Sequence, residues 1–200
     1  MGLGDFGRRA PVRDSDGVSV YDALTRQFLQ DMRTPLAGRG LAVSVEAEPG
    51  WTDALSQSVD LTTTCSTGDP AREVGEKIID WVLLDRCLQQ LPEPAVGLEK
   101  IVSRLQPGAL LVTLFTGIAR PEPDDLRPLW SVAPYAARRL HEDRDELEHV
   151  EVSQYGNVAL ALAWLYGLPA DGLSDEELAT VDAAYPVLVA VTARKRGEPR

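Results

Sequence analysis

Apolar residues fall along this chain in blocks that switch between a helical and a strand-like spacing. From Ser19 to Met32 the apolar positions Val20, Ala23, Leu24, Phe28 and Leu29 recur at helical spacing. Ser19 is placed as an N-cap, and Pro35 and Gly38 close the segment. Leu41 to Val45 is a short apolar run that reads as a strand, ending in Glu46-Ala47-Glu48-Pro49-Gly50. Residues 51–77 are less patterned: Trp51 to Leu55 reads as a short helix, Ser58 to Cys65 as a β-branched strand, and Gly68-Asp69-Pro70 as a turn.

The pattern is sharpest from Ile78 to Thr116. An apolar run, Ile78 to Leu84, holds one embedded acid, Asp80, and ends at Asp85. After Leu91-Pro92 comes an amphipathic helix with Val96, Leu98, Ile101, Val102 and Leu105 on one face. A Gln106-Pro107-Gly108 turn then leads into the apolar run Ala109 to Phe115. Strand, loop, helix, turn, strand is the unit that builds a parallel sheet.

Further along, Pro121 to Leu126 reads as a loop, and Pro134 to His141 as a helix with proline in its first turn. Val150 to Ser153 reads as a short strand and Asn157 to Tyr166 as a buried helix carrying Trp164 and Tyr166. Ser174 followed by Glu177 is a capping box, and Tyr185 to Ala193 is a final strand before a basic tail. About six or seven strands with interleaved helices imply an α/β three-layer sandwich with a mostly parallel sheet. Residues 1–17 read as an N-terminal arm and 18–200 as one domain.

The 200 residues are enough to bury a core. A formal charge of −11 and a pI near 4.6 argue against nonspecific nucleic-acid binding. No run is long or apolar enough to span a bilayer, and Met1 to Asp16 lacks a signal-peptide core, so the expected location is cytoplasmic. Two cysteines, Cys65 and Cys87, and two histidines, His141 and His149, form no metal-binding pattern. Both histidines lie among charged residues and are expected at the surface. Cys87 is expected to be a buried small residue.

The strand with its embedded acid, the Leu-Pro loop and the Pro-Gly turn from Ile78 to Thr116 resemble the second half of a class I, S-adenosylmethionine-dependent methyltransferase. Leu129 to Leu140 (LWSVAPYAARRL) is similar to a family segment in which an aromatic-rich loop leads into a helix after the fifth strand, and Val150 to Asn157 (VEVSQYGN) and the opening GDFGRR are similar to a subgroup of small bacterial methyltransferase-like proteins. The resemblance implies a Rossmann-like methyltransferase fold whose late strands close as a hairpin, the last one antiparallel. It also implies S-adenosylmethionine as cofactor. The glycine-rich turn of the family's first strand is degenerate here, however. Leu41 to Gly50 places Ala42 near the family's acid position and Ser44 near its first glycine, and only Gly50 remains. A third strand with its adenine loop is not visible.

On this resemblance Glu46, Glu48, Gly50 and Asp60 are the candidate cofactor-binding residues, with Glu46 and Glu48 alternatively facing water. Asp60 is the best available acid for the ribose hydroxyls, although it falls inside its strand rather than at the tip. Asp85, at the carboxyl end of the strongest strand, reads as a general base or as an ion-pair partner of Arg86. Arg86, Trp130 and Tyr135 are candidate substrate contacts. Two function classes follow. One is methyl transfer to a small-molecule acceptor. The other is a cofactor-free methyltransferase-like protein, acting as a structural or partner subunit or reusing the pocket for other chemistry. Either admits a homodimer or a partner enzyme.

Overall fold

A computed structural model describes residues 17–32, 36–46, 51–55, 69–74, 79–120 and 128–197, and the strand 60–65 by its backbone. The strands are β1 (Arg39–Ser44), β2 (Asp60–Cys65), β3 (Trp81–Asp85), β4 (Leu110–Thr116), β5 (Leu147–Tyr155) and β6 (Leu188–Lys195). They form one six-stranded sheet in the order β2-β1-β3-β4-β6-β5. β2, β1, β3 and β4 run parallel, and β6 enters antiparallel to both β4 and β5. This is the α/β sandwich that the pattern implied, with the antiparallel last strand that the resemblance implied. Among the described residues no strand lies between β2 and β3 in the chain, so β2 forms that edge of the sheet.

Among the described residues six helices accompany the sheet: α1 (Val20–Asp31), α2 (Ala71–Val74), α3 (Pro94–Val102), α4 (Pro134–Glu142), α5 (Val158–Leu165) and α6 (Asp175–Ala179). Strand residues point alternately to two cores, as the pleat requires. Leu41, Val43, Val82, Leu84, Leu111 and Val191 pack with Ala71, Val74, Leu98, Ile101 and Ala137 of α2, α3 and α4. Ala42, Trp81, Leu83, Val112 and Ala190 pack on the other face, with Val20, Leu24 and Phe28 of α1 and with Leu160 and Trp164 of α5. The helix ends follow the sequence signals. The Ser19 hydroxyl accepts from Asp22 N–H, Asn157 caps α5, and Ser174 and Glu177 make the expected capping box on α6.

Three expectations change. First, the strand expected from Ile78 begins at Trp81. Asp80 stays outside it, where its carboxylate accepts from the Arg39 N–H at the start of β1. Second, β5 is longer than Val150–Ser153. It is an edge strand with one solvated face and a register shift between Glu148 and Glu151, where His149 takes a left-handed φ of 54°. Its charged positions hid it from a search for apolar runs. Third, His141 is fully buried, not on the surface. It lies one helical turn beyond Ala137, whose carbonyl its Nδ1 faces at 2.8 Å, and its Nε2 lies 2.8 Å from Thr113 Oγ1. Thr113 is a polar residue on an otherwise apolar strand face, and His141 satisfies it.

Gly40 shows how tightly the α1 face is closed. A methyl group there would overlap the Trp81 indole from the neighbouring strand. Gly40→Ala is therefore expected to destabilise the fold by about 1–3 kcal/mol through overpacking. Chemical denaturation reads this as a lower midpoint with an unchanged slope.

Candidate functional site

In an open parallel sheet, ligands bind beyond the carboxyl ends of the strands. Here those ends bring Ser44 of β1 beside Asp85 of β3, which are register partners. The Asp85 side chain is completely buried. Its Oδ1 accepts from the Tyr21 hydroxyl at 2.8 Å, and its Oδ2 accepts from the Ser44 hydroxyl at 2.7 Å. Arg86 folds back onto the same carboxylate, with Nε and Nη2 each donating at 3.3 Å. Both carboxylate oxygens are thus engaged from three directions.

Arg86 is the most constrained residue of the site. Its φ of 57° lies in the left-handed region, a conformation that costs a non-glycine residue on the order of 1–3 kcal/mol. That turn lets the guanidinium lie across the strand ends. Its carbon sits 4.7 Å from the centre of the Tyr21 ring, and Nη2 pairs with Glu46 at 2.7 Å. Burial alone would lower the Arg86 pKa, but Asp85, Tyr21 and Glu46 together raise it well above its ordinary value. Burial and the Asp85 charge likewise hold the Tyr21 phenol well above its usual range, so it stays a donor.

Asp22 stands at the edge of this network. It is 8% exposed; the Ser19 hydroxyl donates to its Oδ2 at 2.7 Å, while its Oδ1 is buried without a partner. Burial pushes its pKa up from 3.8 to about 6 against the Ser19 hydrogen bond, with Glu46 and Asp85 adding to the rise and Arg86 opposing it.

On the β4 side, Arg86, Gln89, Gln90, Thr116, Arg120, Pro128 and Trp164 line a cleft of ≈ 220 Å³ open to solvent. The Gln89 amide both accepts from the Thr116 N–H and donates to its hydroxyl, which fixes that wall. Arg120 stacks 4.1 Å over the Trp164 ring, whose Nε1 donates to the Ile118 carbonyl at 2.7 Å.

The sequence candidates separate into three groups. Glu46, Asp85 and Arg86 converge at the strand ends. Asp60 does not join them: it opens β2 and pairs with Arg39, at the opposite end of the sheet from Ser44 and Cys65. A ribose acid belongs at the carboxyl end, and Asp60 begins the strand instead. Glu48 and Gly50 lie outside the described residues. Trp130 and Tyr135 are 46% and 74% exposed on and just after the loop before α4, and the Trp130 indole donates to the Leu91 carbonyl. Cys87 is buried, as expected.

Sequence reasoning missed Tyr21 and Asp22. Tyr21 was discoverable, since it continues the Leu24–Phe28 stripe of α1 and carries a hydroxyl into a core position. Nothing in the local pattern marks Asp22. Trp164 was expected in the core or at an interface; it is buried and also walls the cleft. Among the described residues no group of three or more metal-ligating side chains occurs, and no helix is long and apolar enough to cross a membrane.

Parallel strands β2-β1-β3-β4 flanked by an antiparallel last strand, with helices on both faces and the site at the strand ends, define the class I methyltransferase fold. No protein-family model matches the chain, and no curated protein matches it in sequence. Solved structures do match. A S-adenosylmethionine-dependent methyltransferase from Thermotoga maritima is similar at 12% identity and TM-score 0.52, over 88% of this chain and 90% of that one. The StiE O-MT segment (residues 961–1257) is similar at 12% identity and TM-score 0.50, over 88% of this chain and 74% of that one. The CurJ carbon methyltransferase is similar at 11% identity and TM-score 0.50, over 88% of this chain and 54% of that one. The protein is methyltransferase-like in fold.

Asp22 and His141 set opposite pH dependences. Burial pushes His141 down from 6.5 to about 4 against the Ala137 carbonyl. The unfolded chain therefore binds more protons at this residue, and its contribution is lost as pH falls from 6.5 through 4. At Asp22 the folded chain binds more protons, and its contribution is lost as pH rises from 3.8 through 6. Each is worth about 3 kcal/mol, so between pH 4 and 6 they nearly cancel. Asp22→Asn, which fixes a neutral side chain, is expected to lose about 3 kcal/mol more than wild type on acidification across that window. His141→Gln is expected to gain stability relative to wild type over the same range. Urea unfolding series at several pH values decide this; curves parallel to wild type would contradict the assignment.

Proposed function

We propose that this chain is a methyltransferase-like protein that works without a resident S-adenosylmethionine and reuses its strand-end site to bind a different small molecule. One observation carries the reading: the corner where the cofactor of this fold would sit is filled by the protein's own side chains. On the resemblance Ser44 falls near the family's first glycine, and its hydroxyl is turned onto Asp85. Arg86 covers Asp85 and reaches Glu46, which ties down one of the carboxylates available for a ligand. These contacts support a strand-end site without a resident S-adenosylmethionine. Asp85 in this reading is a positioning residue that holds Tyr21, Ser44 and Arg86.

A second reading is methyl transfer from S-adenosylmethionine to a small acceptor. The fold favours it, and so do the exposed aromatics Trp130 and Tyr135, which follow Pro128 of the cleft wall in the chain. It needs Arg86 to leave the corner. Partner binding is open to either reading: Val158 and Leu165 on α5, with Val181 and Tyr185 beyond α6, are exposed apolar side chains, and light scattering distinguishes a monomer from a dimer.

Titration of the purified chain with S-adenosylhomocysteine by calorimetry, with thermal shift alongside, separates the two. The expected result is no heat and no shift at millimolar ligand. Micromolar binding would overturn the first reading in favour of the second.

A further inference from the structure

The cleft on the β4 side is walled by separate parts of the chain: Arg86 and Gln89 after β3, Thr116 at the end of β4 with Arg120 and Pro128 beyond it, and Trp164 of α5. Its hydrogen-bond directions are set from within. The Thr116 backbone N–H can only donate, so the Gln89 amide turns its oxygen to that group, at 2.8 Å. The Gln89 nitrogen then faces Thr116 Oγ1, also at 2.8 Å, and the hydroxyl accepts a hydrogen bond there. The hydroxyl's own hydrogen is left to donate elsewhere, and among the described residues it has no acceptor. Both side chains are buried, so Gln89 holds this donor in one direction.

Arg86 supplies a second donor. It is only 6% exposed, and its Nε and Nη2 are engaged by Asp85 and Glu46. Among the described residues its Nη1 has no acceptor. A buried donor without an acceptor is costly, and two of them on the wall of one cleft call for a ligand oxygen. The surroundings of Arg86 select which oxygen. Its guanidinium already meets Asp85 at 3.3 Å and Glu46 at 2.7 Å. A third carboxylate there would be repelled by both, whereas a neutral carbonyl oxygen has a lone pair for each donor and no charge. Beside these donors Arg120 lies flat over the Trp164 ring at 4.1 Å, and Pro128 adds an apolar surface, a wall suited to a planar body.

We propose that this cleft binds a planar amide or lactam, with its carbonyl oxygen taken by the Thr116 hydroxyl and Arg86 Nη1 and its flat body lying along Arg120 and Pro128. The proposal rests on the reading that the site serves a small molecule other than S-adenosylmethionine, and it adds the chemical class of that molecule. Gln89 is a positioning residue that aims the hydroxyl.

The test is a proton–nitrogen NMR titration of the full chain with benzamide, with benzoate and benzylammonium as controls that carry the same ring. Benzamide at millimolar concentration is expected to shift the Thr116 amide, the Gln89 side-chain amide and the Arg86 Nε–H in a saturable way. Benzylammonium, which offers no acceptor, is expected to shift none of them, and benzoate to bind more weakly than benzamide. Thr116→Val is expected to weaken benzamide binding about tenfold, and Thr116→Ser, which keeps the hydroxyl, to preserve it. Thermal melts show whether each variant is folded, and if the valine variant is not, the three ligands on wild type still decide. No saturable benzamide shift at these groups, tighter binding of benzoate, or equal affinity of wild type and a folded Thr116→Val would overturn the proposal. Loss of benzamide binding with no S-adenosylhomocysteine heat sinks this proposal alone; micromolar S-adenosylhomocysteine binding overturns the cofactor-free reading whatever benzamide does.

Discussion

A carboxylate buried at the end of a sheet must be matched by donors, and at Asp85 that matching draws in three elements at once. Tyr21 comes from α1, Ser44 from β1, and Arg86 from the turn after β3. A charge at this depth is tolerated only when it is paired and fully hydrogen-bonded, and removal of one partner from such a pair is strongly destabilising. The contacts that neutralise Asp85 therefore also fix α1 against the sheet and hold Arg86 in its left-handed turn. The Tyr21 ring supports the guanidinium from below, and Glu46 ties it to the chain beyond β1.

This constraint binds the strand ends more tightly than the rest of the fold. Solved methyltransferases are similar to this chain in fold at 11% and 12% identity. The alternating strand faces and the α1 and α3 stripes allow such a likeness, because many apolar residues satisfy the same pattern. The strand ends are less forgiving. Ser44 and Arg86 both close on Asp85, and Glu46 pairs with Arg86, so the described corner is a set of internal hydrogen bonds and ion pairs. Asp22 is buried beside it, and the buried neutral His141 offsets its pH dependence from the other side of the sheet.

The legible part of the fold was the part governed by periodicity. Trp81–Asp85, Leu110–Thr116 and the helix between them stand out because both faces of those strands are buried and the helix has one apolar face. β5 was half-read because one of its faces meets water, and its glutamates broke the apolar run. His141 was misplaced because its charged neighbours suggested solvent, whereas its position opposite Thr113 is a tertiary fact. At the site, Asp85, Arg86 and Glu46 were visible as strand-end residues. Asp60 was read as lying inside its strand, and the strand begins at it, because the boundary of a β-branched run is not marked in the sequence. Asp22 carried no signal, since an acid in the first turn of a helix is ordinary on the surface and only its burial sets it apart.

The measurement that bears most directly on the locked strand end is the solvent exchange of the Arg86 Nε–H, followed by proton–nitrogen NMR and assigned by its disappearance in Arg86→Met. A guanidinium held by Asp85 and Glu46 beneath the surface should give a sharp signal exchanging far more slowly than those of the exposed arginines. A signal exchanging as fast as theirs would mean that the arginine is not fixed across the strand ends, and that the corner stands open for a ligand of another kind.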